Sequence, residues 1–414
     1  MRRFVGHMVV VLVVCAIAYC LVPAAAVAGG YQYAGKWGSK GTGNSQFDGI
    51  GGIAIDGSGN VYVSDVGNKR IEKFNASGAF LAKWGTLDSS MDGVAVDRSG
   101  NVYAADYWNH RILKFNSSGA LLAKFDTTIA SDFDSEPHSI AVDSAGNMWV
   151  TDSGGSLVKK FSASGDYLGS LTKGSDTGQV ARPIGVAVDS SDNVYVVDYL
   201  LYNVQKFTSS GAYLDGRTTI ATGDANLLYP AHVAVDGSGN IYVADTKPGT
   251  LISDGSVKKF NSSFVLQTRI GVYSSSPALD GSFCVVAGVA VGSSGKVYVA
   301  DTTFDRVVEF TASSVAHATT TKLTGPSSVR VGKTLKLSGT VSPSGARGSV
   351  KITKTRKVGT KWRSMGSAKV TVVNGSFKYS FRPRVKGSWR FVAKYSGGGG
   401  YASSKSRTKS VKVK

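Results

Sequence analysis

One unit recurs along three quarters of this chain, and it constrains the fold more than any other feature. Written from Gly52 to Gly85 it reads GIAIDGSGNVYVSDVGNKRIEKFNASGAFLAKWG. Its opening pattern, G-[IV]-A-[IV]-D, returns at Gly93, Ser139, Gly185, His232 and Gly288, with Ser and His in place of the leading Gly in two copies and Gly292 in place of the closing Asp in the last. A second strand follows in each copy and ends in Asp65, Asp106, Asp152, Asp198, Asp245 or Asp301, at intervals of 41 to 56 residues. A period of this size marks a solenoid, a propeller or an array.

Within the unit, apolar residues alternate with small or polar ones over short runs, as at Ile53 and Ile55, Val61 and Val63, and Phe80, Ala82 and Trp84. That is strand periodicity. Between the runs lie Gly57-Ser58-Gly59-Asn60 and Asn75-Ala76-Ser77-Gly78, residues that accept positive φ or hydrogen-bond their own backbone. Each unit therefore reads as a four-stranded antiparallel meander. One such sheet cannot cover both of its faces; six packed radially can, which predicts an all-β, six-bladed propeller.

The segments Asp65-Val-Gly-Asn68-Lys-Arg70-Ile-Glu-Lys-Phe74 and Asp106-Tyr-Trp-Asn109-His-Arg111-Ile-Leu-Lys-Phe115, with the approach Phe47-Asp-Gly-Ile-Gly-Gly-Ile-Ala-Ile-Asp56, resemble the NHL repeat. The resemblance covers about residues 31 to 314 and implies the six-bladed NHL propeller. It leaves function open, since propellers of this kind serve as RNA binders, protein-docking modules, lyases and receptor ectodomains.

Residues 1 to 28 read as a secretory signal peptide: Arg2 and Arg3 precede an apolar run from Val9 to Val22, and Ala26-Val27-Ala28 supplies small residues for cleavage. Cleavage removes Cys15 and Cys20, leaves Cys284 as a buried apolar filler without a disulfide partner, and leaves no transmembrane helix. Export places the protein outside the cell, in association with the cell wall.

Ala34-Gly-Lys-Trp-Gly38 repeats Leu81-Ala-Lys-Trp-Gly85, the outer strand of the first unit, whereas the sixth unit runs past Phe310 with no outer strand of its own. Tyr31 to Trp37 is thus expected to complete the last blade and close the ring, covering strand edges. The six Asp residues are equivalent around a ring and cannot converge on one point, so they are expected to hold turns by accepting backbone N–H bonds. Phe74, Phe115, Phe161, Phe207, Phe260 and Phe310 are expected between blades, and the wider spacing in the fifth unit places an insertion at Thr246 to Ser256.

Departures from the repeat point to the site. The length variation falls in Gly85 to Asp92, Asp126 to His138, Thr172 to Ile184, Ile220 to Ala231 and Ile270 to Ala287, all on one face of the ring, and variable loops over a rigid scaffold usually carry binding. That face presents Tyr107, Trp108, Tyr199, Tyr202 and Phe304 just after the second strands, rings suited to stacking on a sugar or anchoring a peptide or protein. The alternative is a metal-dependent lyase or hydrolase at the central channel. Pro137-His138-Ser139 resembles the Pro-His step with which peptidyl-amidoglycolate lyases place zinc ligands, and Asp92 and His232 stand at or next to the equivalent positions of other units. Zinc needs about three protein ligands, and a lactonase-type calcium site needs several oxygens. The similar streptogramin lyases carry a His and Glu pattern absent here, so no cofactor is expected on the first reading and zinc or calcium on the alternative.

Composition changes after residue 315. The 99 residues that follow hold 23 Lys and Arg and no Asp or Glu, against 24 basic and 28 acidic before them, so the net charge of +19 belongs to the tail. This is no disordered arm, because Phe377, Tyr379 and Phe381 alternate with Lys378, Ser380 and Arg382, and Trp389, Phe391, Ala393 and Tyr395 with Arg390 and Lys394. Thr340-Val-Ser-Pro-Ser-Gly345, Gly348-Ser-Val-Lys-Ile352, Trp362, Gly375-Ser-Phe377 and Gly387-Ser-Trp-Arg-Phe391 resemble bacterial immunoglobulin-like domains. The domain plan is a signal peptide at 1–28, a propeller at 29–315, a linker at 316–321 and a basic Ig-like β-sandwich at 322–414. Lys351, Lys354, Lys378, Arg382, Arg390 and Lys394 form its expected polyanion face, directed at an anionic cell-wall or membrane-surface polymer rather than at a specific nucleic-acid sequence. The whole reads as a secreted or cell-surface binding protein.

Overall fold

In the computed structural model of the chain, the described residues are 30–85, 91–128, 135–217, 227–245, 256–313, 319–342, 348–372, 375–397 and 403–414. The signal segment and positions 246–255 of the expected insertion lie outside them. Two compact units emerge, one built on Tyr33–Leu266 and Ile270–Thr311 and the other mainly on Ala312–Lys414.

The first unit is six four-stranded antiparallel sheets. Their inner strands are Ile50–Ile55, Met91–Val96, Pro137–Val142, Pro183–Val188, Pro230–Val235 and Val286–Val291, numbered here as blades 1 to 6. Each inner strand packs against the next, and Val286–Val291 packs against Ile50–Ile55, so the ring is closed. In blade 6 the strand order is Tyr31–Trp37, Arg306–Ala312, Val297–Asp301, Val286–Val291: the N-terminal strand supplies the outer edge, as its sequence predicted.

The recurring glycine of the inner strand has a steric cause. A Cβ on Gly93 would lie 2.5 Å from the His138 carbonyl oxygen and 2.8 Å from Ser139 Cα, both of the next blade's backbone. Close approach of backbones requires the missing side chain. At the rim, three of the outer strands lay a large aromatic side chain over a turn glycine of the next blade. Trp37 covers Gly78, Trp84 covers Gly119 and Phe125 covers Gly165, all three glycines having positive φ.

Each blade's core is shared with a neighbour. Tyr62 and Ile71 of blade 1 cluster with Val94, Leu113 and Phe115 of blade 2, and Phe47, Ile53 and Phe74 of blade 1 with Ala290, Tyr298 and Val307 of blade 6. The six repeated phenylalanines are all buried, and each contributes about 1.5–3 kcal/mol. The first turn is closed by an Asp on the inner strand. Asp56 Oδ1 accepts the N–H groups of Ser58 and Asn60, and its Oδ2 accepts the Asn60 amide and the Tyr62 hydroxyl. Burial pushes this carboxyl up, but those donors outweigh it and hold Asp56, like Asp189 and Asp236, below the ordinary value.

Asp152 and Asp198, ending second strands, hold the turn that follows, as expected, and the Asp residues at this position also fasten incoming loops. Asp65 accepts Asp48 N–H, Asp152 accepts those of Glu136 and Gly155, and Asp198 accepts those of Ala181, Arg182, Leu200 and Leu201. A third-strand cation backs most of them: Arg70, Arg111 and Arg306 in blades 1, 2 and 6, and the fully buried Lys159 and Lys258 in blades 3 and 5. Cys284 is buried and its N–H also donates to Asp301.

Blade 6 departs from the repeat where it closes. In blades 1 to 5 a Lys before the third-strand Phe lies over the second-strand ring, for example Lys73 over Tyr62 and Lys259 over Tyr242. In blade 6 that position is Glu309, which accepts the Trp37 indole N–H at 2.9 Å and pairs with Lys296 at 2.8 Å, while Lys296 takes the place over the Tyr298 ring.

The second unit is a β-sandwich. A three-stranded sheet, Thr320–Thr324, Leu335–Ser342 and Ser376–Phe381, faces a larger one built on Gly348–Val358, Lys361–Val372, Gly387–Tyr395 and Lys409–Val413. Leu335, Leu337 and Phe377 of one sheet and Ile352, Trp389, Phe391 and Tyr395 of the other share a single core. The first strand opens at Thr320, two residues before the expected start of the domain.

Candidate functional site

In blades 1, 3, 4 and 6 the turn after the second strand and the end of the incoming crossover meet on one face of the ring, where Val66 N–H donates to the Gly49 carbonyl. Tyr199 N–H donates to the Arg182 carbonyl, Ser153 N–H to that of Glu136, and Thr302 N–H to that of Val285. On this face the side chains of blades 2 to 5 form a band of two contact clusters, one across blades 2 and 3 and one across blades 4 and 5, with the Arg182 charge of the second acting on Tyr107 of the first. In blade 2, Tyr107 opens a short 3-10 turn, stacks edge-on with Trp108 at 4.9 Å and lies 4.9 Å from the His138 ring of blade 3. His138 Nδ1 pairs with Asp92 Oδ2 at 3.2 Å, with both side chains about 30% exposed (31% and 29%).

The Tyr107 hydroxyl also bonds Glu136; burial first, and then that hydrogen bond and the nearby carboxylates, push its pKa far up, so it remains a phenol. Glu136 in turn accepts the Ser153 hydroxyl at 3.2 Å. In blade 4 the exposed Arg182 lies over the Tyr199 ring at 5.3 Å, and Tyr199 meets Tyr229 of blade 5, which also packs on Tyr202. Trp108 is 60% exposed, too open to serve as a cap on the hydrophobic end of a blade.

Of the residues expected in a ligand site, Tyr107, Trp108, Tyr199 and Tyr202 thus share the band. Phe304 does not: it lies in blade 6, packed on the guanidinium of its own Arg306. Glu136, Arg182 and Tyr229 were not singled out from the sequence. The signal was present, since each is the residue before the proline that opens an inner strand, at Pro137, Pro183 and Pro230.

The metal alternative is met only in part. Asp92 and His138 come together, but His232 accepts the Val289 N–H at 3.5 Å among the inner strands of blades 5 and 6, and burial pushes its imidazole down to about 4. It stays neutral there, away from the other two. Among the described residues no three His, Cys, Asp or Glu converge as metal ligands. The pair can orient an imidazole for acid–base work; a third ligand would have to come from elsewhere.

In the sandwich, the expected cationic face is divided. Lys351, Arg390 and Lys394 point outward from the larger sheet, and Arg390 covers the Trp362 ring at 4.0 Å. Lys378 points outward from the smaller sheet, and Arg382, just beyond the same strand, donates to the Gly332 carbonyl. Lys354 belongs to neither face. It pairs with Phe391, on the core side, and its ammonium lies over the Phe381 ring at 4.8 Å.

The NHL repeat profile matches residues 47–74, 92–115 and 135–161, the approach and first three strands of blades 1 to 3. These are NHL repeats. No curated protein matches the chain. Among solved structures, a protein solved as a gluconolactonase is 13% identical, covering 70% of this chain and 94% of its own, with a TM-score of 0.49. Regucalcin of Agrobacterium tumefaciens strain C58, described as calcium-binding, is 13% identical over 68% and 94%, with a TM-score of 0.46. The WD40 repeats of RRP9 are 12% identical over 70% and 99%, also at 0.46. With every score below 0.5, the propeller rests on its own sheets and on the NHL repeats.

Proposed function

We propose that this is a secreted or cell-surface binding protein. The NHL propeller recognises a protein, peptide or glycan on the band across blades 2 to 5, and the basic, Ig-like sandwich attaches to an anionic cell-envelope or extracellular polymer. The observation that carries this reading is the band itself: an exposed Trp108 packs on Tyr107, which reaches His138 and Glu136 of blade 3, and Arg182 lies over Tyr199, which reaches Tyr229 of blade 5. Rings with polar handles on a rigid ring of sheets hold a ligand at low cost in ordering. No helix among the described residues is long and apolar enough to cross a membrane.

The test is a screen of the full chain on peptide and glycan arrays, repeated with Trp108→Ala and Tyr199→Ala. Loss of an anchor worth about 2 kcal/mol weakens binding roughly thirtyfold. Ligands bound equally well by both variants would exclude this face.

The oriented Asp92–His138 pair supports a second reading, a lyase or hydrolase at the channel mouth. It predicts a stoichiometric divalent metal in the purified protein that is lost in His138→Ala. Protein that is active towards no substrate and retains no metal after purification counts against it.

A further inference from the structure

The outward face of the larger sandwich sheet carries an unusual line of charge. Lys369 pairs in register with Lys351, Lys351 with Lys394, and Lys394 with Lys405, across four successive strands. Residues directly opposite in antiparallel strands share a face, and all four lysines are exposed. At the usual strand separation the row spans about 14 Å. Like charges placed opposite one another destabilise a sheet, and no Asp or Glu in residues 316–414 relieves them. Protection of sheet edges does not explain the arrangement, because edge lysines belong on edge strands, whereas Lys351 and Lys394 lie on adjoining interior strands.

On the three longer strands the rows on either side are neutral and mostly hydroxylic. Thr371, Ser349 and Ser396 lie on one side, and Ser367, Thr353 and Val392 on the other. A charge track one row wide suits a single polymer chain better than a flat lipid surface. Ammonium groups are compact point charges without the fork that selects phosphate geometry. Nucleobases need open rings to stack on, but the ring at the far end of this face, Trp362, is covered by Arg390. Flanking hydroxyls instead match a chain that is itself rich in hydroxyls.

We infer that the row Lys369–Lys351–Lys394–Lys405 is a binding track for a linear acidic polysaccharide laid across the strands. This deepens, and rests on, the reading of the basic sandwich as an attachment module. The track takes in Lys369 and Lys405 and leaves out Lys354, Lys378 and Arg382.

The experiment measures binding of the full chain to polygalacturonate, to an oligo-dT strand and to anionic phospholipid vesicles between 50 and 200 mM salt. Lys351→Gln/Lys394→Gln is compared with Lys336→Gln/Lys378→Gln, which removes the same charge from the other sheet. If four cations are neutralised, the wild-type affinity for polygalacturonate falls roughly fiftyfold over that salt range, and the track variant's only about sevenfold. The control variant keeps the wild-type slope. Equal losses in both variants overturn the track and leave diffuse charge. Tighter, track-dependent binding of oligo-dT or vesicles overturns the polysaccharide assignment. If the wild type binds none of the three, the attachment reading itself is lost.

Discussion

Trp37 Nε1 donates to Glu309 Oε1 at 2.9 Å, tying together strands that lie 272 residues apart in sequence. Trp37 also packs at a tilt on Phe74 of blade 1, with ring centroids 4.3 Å apart, so one side chain joins the closing strand both to its own blade and to the next. Glu309 stands where the other blades have Lys, and only the carboxylate serves both the indole and Lys296. Glu309→Lys should therefore lower the melting temperature by more than Glu309→Gln, which keeps an acceptor. Losing a charge-assisted hydrogen bond costs about 1.5–3 kcal/mol. Deletion of residues 30–38 should exceed both in thermal denaturation, and an unchanged melting temperature would show that the ring does not depend on this strand.

Glycines of the repeat should separate cleanly. Gly93→Ala drives a methyl into the backbone of blade 3, and its nearest obstacles cannot rotate away. A loss of about 2 kcal/mol or more is expected, within the range of overpacking. Gly57→Ala meets nothing within 4 Å and has no positive φ, so it should be neutral or stabilise by about 0.4–1 kcal/mol. Chemical denaturation of the two variants side by side decides the matter.

Lys159 is fully buried against Asp152 at 2.6 Å. Asp152→Asn strands the ammonium away from its partner and should cost about 3–5 kcal/mol. Asp152→Asn with Lys159→Met should recover a good part of that, because the orphaned charge goes with it. A double variant no better than the single one would place the cost in the loop that Asp152 fastens.

Two buried groups give opposite pH signatures. Burial lowers His232 from its ordinary 6.5 to about 4, so the native state binds fewer protons than the unfolded chain between those values, and stability rises with pH across the window by up to about 3 kcal/mol. Burial raises Asp301 from 3.8 to about 6, against the opposing pull of its hydrogen bonds and Arg306, so its contribution falls as pH climbs through nearly the same window. Relative to wild type, His232→Asn should gain stability on going from pH 7.5 to 4.5 and Asp301→Asn should lose it. Parallel curves for wild type and either variant would remove that residue from the account.

The fold was legible because it is written six times. The closing strand could be read from the likeness of Ala34–Gly38 to Leu81–Gly85, and the Asp latches from their equivalence around a ring. The band on the loop face was legible only in part. Tyr107 and Trp108 stand out because they fill the regular positions that Val66 and Gly67 hold in blade 1, but Glu136, Arg182 and Tyr229 end crossovers of unequal length, where only the proline that follows each one marks them. Lys354 illustrates a simpler limit. It is three residues from Lys351, and a strand's period of two sets such positions on opposite faces; its charge suggested the surface, while its parity places it towards the core and Phe381.

A strand made before any of the six repeats and paired with Arg306–Ala312 has consequences for how the molecule is born. Five blades can assemble in the order they emerge, each from neighbours in sequence, yet the ring has no seam until the last blade arrives. Contacts between such distant segments form slowly. Through most of its making, then, the nascent chain is an unfinished arc with a loose leading end, and the step that completes it waits on the sixth repeat.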